Sequence, residues 1–111
     1  MYKLTMFISE NYKIPDIHNK KIRIFTSFII EPDGQMTSEK AVHIDVRDYL
    51  PLDVVPLQTP EEKAAEKALY DQMKAEAVRV LSLFKETWQP AVVNGKPVRC
   101  LYQYPISFHI E

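Results

Sequence analysis

Residues 88–111 read WQPAVVNGKPVRCLYQYPISFHIE, and this stretch decides the fold. Trp88, Ala91, Val92 and Val93 lead to Asn94-Gly95, the dipeptide favoured by a tight two-residue β-turn because both central residues need φ > 0. The spacing predicts a hairpin whose second arm is a long strand from Val98 to Ile110. By parity, Val98, Cys100, Tyr102, Tyr104, Ile106, Phe108 and Ile110 share one face of that strand, and Arg99, Gln103, Ser107 and His109 share the other. Pro105 lies inside it. A proline has no N–H to give to a ladder, so the strand is placed at a sheet edge, where unpaired backbone groups are open to another chain.

Moving outward, residues 21–31 (KIRIFTSFIIE) are the strongest strand, rich in β-branched and aromatic residues. Ile22, Ile24, Thr26, Phe28 and Ile30 fall on one face. Arg23, Phe25, Ser27 and Ile29 fall on the other. Apolar side chains on both faces mark a central strand. Pro32-Asp33-Gly34-Gln35 is a turn, because proline presets φ and glycine accepts φ > 0. Residues 36–46 return as an antiparallel neighbour. Residues 47–58, with Pro51 and Pro56, read as a surface loop.

Thr59-Pro60-Glu61-Glu62 is a helix start: a threonine cap, proline at the first position and glutamate closing a capping box. The helix is expected to reach about Phe84. Ala65, Leu69, Met73, Ala77, Val80, Leu81 and Phe84 form its apolar stripe. Its Ala-, Glu- and Lys-rich first turns are expected to project beyond the core. Near the start of the chain, Leu4, Phe7 and Ile8 predict a short helix, ended before Ile14-Pro15. The expected architecture is α+β over a single domain, residues 1–111. A small three-stranded antiparallel sheet is packed by one long helix, with a short N-terminal helix. Residues 21–31 take the middle, and residues 36–46 and 98–110 the two edges.

The totals fit this reading. A chain of 111 residues suffices for one domain and not two. Hydrophobic residues at 46% and charged residues at 26% place it among globular domains. A net charge of −1, without a basic run, excludes a nucleic-acid footprint. No apolar run approaches the ~20 residues of a membrane helix, and no signal peptide is visible, so the chain is expected to be soluble. With one cysteine, Cys100, no disulfide forms within the chain.

No catalytic constellation stands out. His18, His43 and His109 lie on three elements without metal-ligand spacing. Cys100 has no His/Asn partner motif and reads as a small core residue. Glu61, Glu62, Glu66, Asp71 and Glu76 alternate with lysines as a solvated helix face. Both glycines sit in turns, which leaves no phosphate loop. Trp88 is read as covering the end of the core. Tyr102 and Tyr104 are read as core residues with their hydroxyls at its boundary. No cofactor, metal or enzymatic activity is expected.

The segments W-x-P-A-x-x-N-G-K-P-V and Y-P-I-S-F-x-I resemble the end of TonB-type energy-transducer C-terminal domains. The resemblance extends to FISENYKIPD, to RIFTSFIIEPDGQMTSEKAV, where Phe28, Ile30, Asp33, Gly34 and Val42 take the family's places, and to EAVRVLSLFKETWQPA. Asn19-Lys20-Lys21 stands where the family has a glycine before its first strand, and the connection into the long helix exceeds the usual length. The resemblance implies a periplasmic, non-enzymatic domain of an inner-membrane-anchored protein. Its partner would be a TonB-dependent outer-membrane receptor, whose TonB box adds as a β-strand and transmits force for nutrient import. The contact would be the edge strand: Arg99, Cys100, Leu101, Tyr102, Gln103, Tyr104, Ile106, Ser107 and Phe108. The proton-driven motor would be reached only through an anchor absent from these residues. Membership of a membrane-anchored sensor or regulator sharing the fold is the alternative. Dimerisation stays open, because an exposed edge can pair or swap its last strand.

Overall fold

The computed structural model describes residues 2–48, 50 and 57–111. Helix α1 (Tyr2–Asn11) is followed by strands β1 (Lys20–Ile30) and β2 (Met36–Asp48), helix α2 (Pro60–Leu83), the short strands β3 (Ala91–Val93) and β4 (Lys96–Val98), and strand β5 (Cys100–Ile110). The main sheet has the order β2-β1-β5, antiparallel throughout, with β1 central. This is the α+β arrangement expected, with the edges where the sequence places them. No helix among the described residues is long and apolar enough to cross a membrane.

The period-two pattern of β1 explains its central position. Ile22, Ile24, Thr26, Phe28 and Ile30 are all buried against the helices, while Lys21, Arg23 and Phe25 are exposed on the opposite face. Thr26 is the one buried non-aromatic polar side chain among the described residues, and its Oγ1 donates to Tyr104 O at 2.5 Å. That bond removes the cost of burying a hydroxyl. Leu4, Ile8 and Tyr12 from the first helix complete the core with Met73, Ala77, Val80, Leu81 and Phe84 from the second and Ile106 from β5. Both helices therefore cover the same face of the sheet, and the other face is open.

The capping box forms as expected. Thr59 Oγ1 accepts from Glu62 N at 3.1 Å, and Glu62 Oε1 accepts from Thr59 N at 3.2 Å. Ala64, Ala65 and Ala68 are exposed, so Ala65 does not join the buried stripe, which starts at Met73. The molecule measures 57 × 24 × 22 Å, and its radius of gyration of 17.0 Å exceeds the ~13 Å of a compact chain this long. Trp88 packs beside Phe28, Phe84 and Tyr102, with ring centroids 5.5, 6.1 and 5.8 Å away, so it does cover one end of the core.

Two expectations are corrected. The hairpin around Asn94 and Gly95 forms with both residues at positive φ (52° and 77°), but its arms are β3 and β4, which make a separate two-stranded sheet. The long strand begins at Cys100, not Val98. Arg99 interrupts it, and its guanidinium is held by Glu31, with Nε at 2.7 Å from Oε1 and Nη2 at 3.3 Å from Oε2. The second correction concerns the loop expected at 47–58. Arg47 and Asp48 belong to β2, and residues 49 and 51–56 lie outside the described residues.

Tyr12, not anticipated as core, ties the two helices together. Its hydroxyl donates to Met73 O at 2.8 Å, and its ring lies 4.5 Å from that of Phe108. Burial, reinforced by the Glu76 carboxylate, holds the phenol well above its ordinary range. Burial and Glu66 also push Tyr70 up to about 12. A raised phenol pKa favours the protonated folded state. Its stabilisation is complete below the unfolded value of about 10 and is lost as pH rises toward the folded value. Alkaline denaturation should therefore begin above about pH 10. Tyr12→Phe should lose about 1 kcal/mol at neutral pH, for the missing hydrogen bond, and should show a flatter alkaline limb. An unchanged limb in that variant, followed by circular dichroism, would exclude Tyr12 as the titrating group.

Candidate functional site: the free edge of the last strand

The sheet has two edges, and they differ. Along β2 the register slips twice against β1. Phe25 pairs with His43 and Thr26 with Ala41, which leaves Val42 over. Between Ser27↔Lys40 and Ile29↔Thr37, two residues of β2 oppose one of β1, and Ser38 there has φ +55°. Bulges of this kind bend an edge and interrupt its regular row of donors and acceptors. By contrast, β5 pairs with β1 in one unbroken register, from Lys20↔Ile110 to Ile30↔Cys100. An added strand needs a regular row, and β5 is the edge that offers one.

The hairpin on the far side of β1 determines which groups that row contains. Glu31 donates its N–H to Gln35 O at 2.9 Å across the β1–β2 turn, so the backbone at Glu31 faces β2. In an antiparallel strand the facing side alternates residue by residue. Odd-numbered residues of β1 therefore bond toward β2 and even-numbered ones toward β5. Asn19, just before β1, has φ +56°, which turns its N–H back to Glu111 O at 2.9 Å. In β5 the even-numbered residues are bonded to β1. Leu101, Gln103, Pro105, Ser107 and His109 present their backbone to the free edge. The missing N–H of Pro105 thus falls on the outer side, which is why the ladder to β1 crosses it without a register shift.

The candidate contact residues accordingly divide in two. Cys100, Tyr102, Tyr104, Ile106 and Phe108 turn their side chains to the core and their backbone to β1. Tyr102 stacks on Phe28 at 5.9 Å, and Tyr104 Oη shares a 2.6 Å hydrogen bond with Thr5 Oγ1. Leu101, Gln103 and Ser107 are exposed and carry both free backbone and open-face side chains. Arg99 lies outside the strand. Its guanidinium, followed by the Thr37 hydroxyl, holds the Glu31 carboxyl below the usual carboxylate range. His109, placed by parity on the same face as Ser107, follows the last of the expected contact residues and pairs with Lys21.

The open face beside this edge has an ordered composition. Reading across the three strands, one row is Arg47–Lys21–His109, the next Asp45–Arg23–Ser107, and the next His43–Phe25–Pro105. Phe25 and His43 stack at 5.8 Å. Further along, Ile29 pairs with Leu101, which is 63% exposed. The first two rows are therefore rich in cationic side chains, while Ile29 and Leu101 form an apolar pair among polar neighbours further along. Among the described residues no cluster of three or more His, Cys, Asp or Glu side chains could hold a metal ion. Comparison of the chain with protein-family models, with curated proteins and with solved structures gives no match.

Proposed function

We propose that this domain binds an extended peptide by strand addition along β5, in the manner of the periplasmic domain of a TonB-type energy transducer. The resemblance in sequence supplies the partner, the TonB box of an outer-membrane receptor. The observation that carries the binding mode is the contrast between the two edges: 11 residues of unbroken β5 against a twice-bulged β2. Backbone hydrogen bonds from Leu101, Gln103 and Ser107 would give affinity, and side chains on the open face would select the sequence. Pro105 contributes a carbonyl but no donor at the centre, which limits indiscriminate pairing between edges. The reading is non-enzymatic, and force applied to the bound strand would pass through β5 into β1 and the helical layer.

The test is a heteronuclear NMR titration of the labelled chain with receptor peptides bearing TonB boxes. Shifts should follow residues 99–110, with the largest amide changes at Leu101, Gln103 and Ser107 and small ones along β2. The absence of shifts at millimolar peptide, or shifts centred on β2, would reject β5 as the binding edge.

A further inference from the structure

On the helix side of the β5 edge lies a cavity of about 220 Å³, lined by Thr5, Ile8 and Ser9 of α1, by Ile14 just beyond that helix, and by residues 104–108 of β5. We propose that it is the anchor subsite of the binding edge and takes one apolar side chain from the added peptide strand. This rests on strand addition to β5.

Its position supports the assignment. Pro105 and Ser107 turn their backbone to the free edge, and both line the cavity, so the cavity reaches that edge. Residues standing beside each other on neighbouring strands point their side chains to the same face of the sheet. Ile106 points to the helices and is 3% exposed. A peptide residue beside Ile106 therefore also turns toward the helices, into the space between α1 and β5. In an antiparallel ladder this is a non-hydrogen-bonded pair, where side chains approach most closely. The same place adjoins Pro105, where the ladder loses a donor, so side-chain burial there offsets the missing bond.

The walls support it too. No charged side chain lines the cavity, and Ile8, Ile14, Ile106 and Phe108 supply apolar surface. Its volume falls below the ~300 Å³ at which pockets for drug-sized ligands begin, which suits a single side chain. Ile14 is 53% exposed, so apolar surface already stands at the rim. The segment carrying it is fixed to α2. Lys13 N–H donates to Glu76 Oε2 at 2.8 Å, and Arg79 Nη2 donates to Asn11 O at 3.0 Å. On the strand side, the 2.6 Å bond shared by Tyr104 Oη and Thr5 Oγ1 ties β5 to α1. The walls are thus set before a peptide arrives, which lowers the ordering cost of binding.

The test is selection of a displayed library of random nonapeptides on the 111-residue chain and on two single variants, Ser9→Phe and Ile14→Asp. Ser9 and Ile14 are exposed, so circular dichroism should show both variants folded. On the native chain, enriched peptides should share one position restricted to apolar residues. Ser9→Phe fills the cavity and should shift that position to Gly, Ala or Ser. Ile14→Asp places a carboxylate at the rim and should admit polar and basic residues there. For one enriched peptide, replacing the anchor by Ala should weaken binding to the native chain about tenfold, and binding to Ser9→Phe by less than about twofold. Amide shifts at Leu101, Gln103 and Ser107 in the labelled chain should accompany binding of that peptide. Peptides that shift those amides but lack an apolar anchor, or keep the same restriction on both variants, would overturn the subsite and leave strand addition standing. Enriched peptides that leave those amides unmoved, or no enrichment at all, would remove strand addition itself, and the subsite with it.

Discussion

Gly34→Ala should lower the stability of the domain by about 3 kcal/mol, on the order of 15 °C in Tm. Gly95→Ala should cost about 1 kcal/mol. Both glycines have positive φ, +87° and +77°, so both substitutions carry the left-handed penalty of an L-residue. They differ in surroundings. A Cβ on Gly34 would stand 2.4 Å from Trp88 O and 2.6 Å from Thr87 Cγ2, whereas one on Gly95 meets nothing within 4 Å. The closest atom at Gly34 is backbone and cannot rotate away. The Trp88 segment must therefore move, breaking the 2.9 Å bond from Trp88 N–H to Gly34 O and disturbing the indole against Phe28 and Tyr102. Thermal unfolding of the two variants measures the difference. Equal losses would mean that the first hairpin turn does not hold the exit of α2.

The residues most readable from sequence are those whose partners are close along the chain. Thr59 and Glu62 are three positions apart and cap each other without help from the rest of the fold. Asn94 and Gly95 take positive φ because the turn is local. The central strand was legible because alternation in Lys20–Ile30 is itself a record of burial. What escaped depends on distant pairing. Val98 and Cys100 share a parity, so periodicity runs straight through Arg99. Only the pairing of β4 with β3, and the tie from Arg99 to Glu31 at 68 positions' separation, reveal the break. The bulges at Val42 and Ser38 exist only relative to β1. Tyr12 is an aromatic residue past the end of a helix until Met73 O appears beside its hydroxyl. The rows of the open face, such as Asp45–Arg23–Ser107, likewise assemble from three strands in register, and no window of sequence contains them.

Proline placed at successive positions of β5 should separate folding from binding. Tyr102→Pro should unfold the domain, costing about 3 kcal/mol more than Tyr102→Ala, because the backbone at Tyr102 is bonded to β1 and its ring stacks on Phe28. Gln103→Pro should leave a folded domain, since its N–H points to the free edge and its side chain is exposed. Each variant bears the same shift of φ toward −65°, so the difference between them isolates the lost ladder bond. The native Pro105 shows that β5 already tolerates a proline at the same parity. For peptide binding the consequence is reversed. Gln103→Pro would leave no donor between Leu101 and Ser107, and the affinity for an added strand should fall about tenfold. Gln103→Ala should bind within about twofold of the native chain, because strand addition uses the backbone there. Circular dichroism and peptide titration of these variants read the two effects separately. A folded Tyr102→Pro would contradict the assignment of even-numbered residues to the β1 ladder. A folded Gln103→Pro with native affinity would place the peptide somewhere other than the free edge of β5.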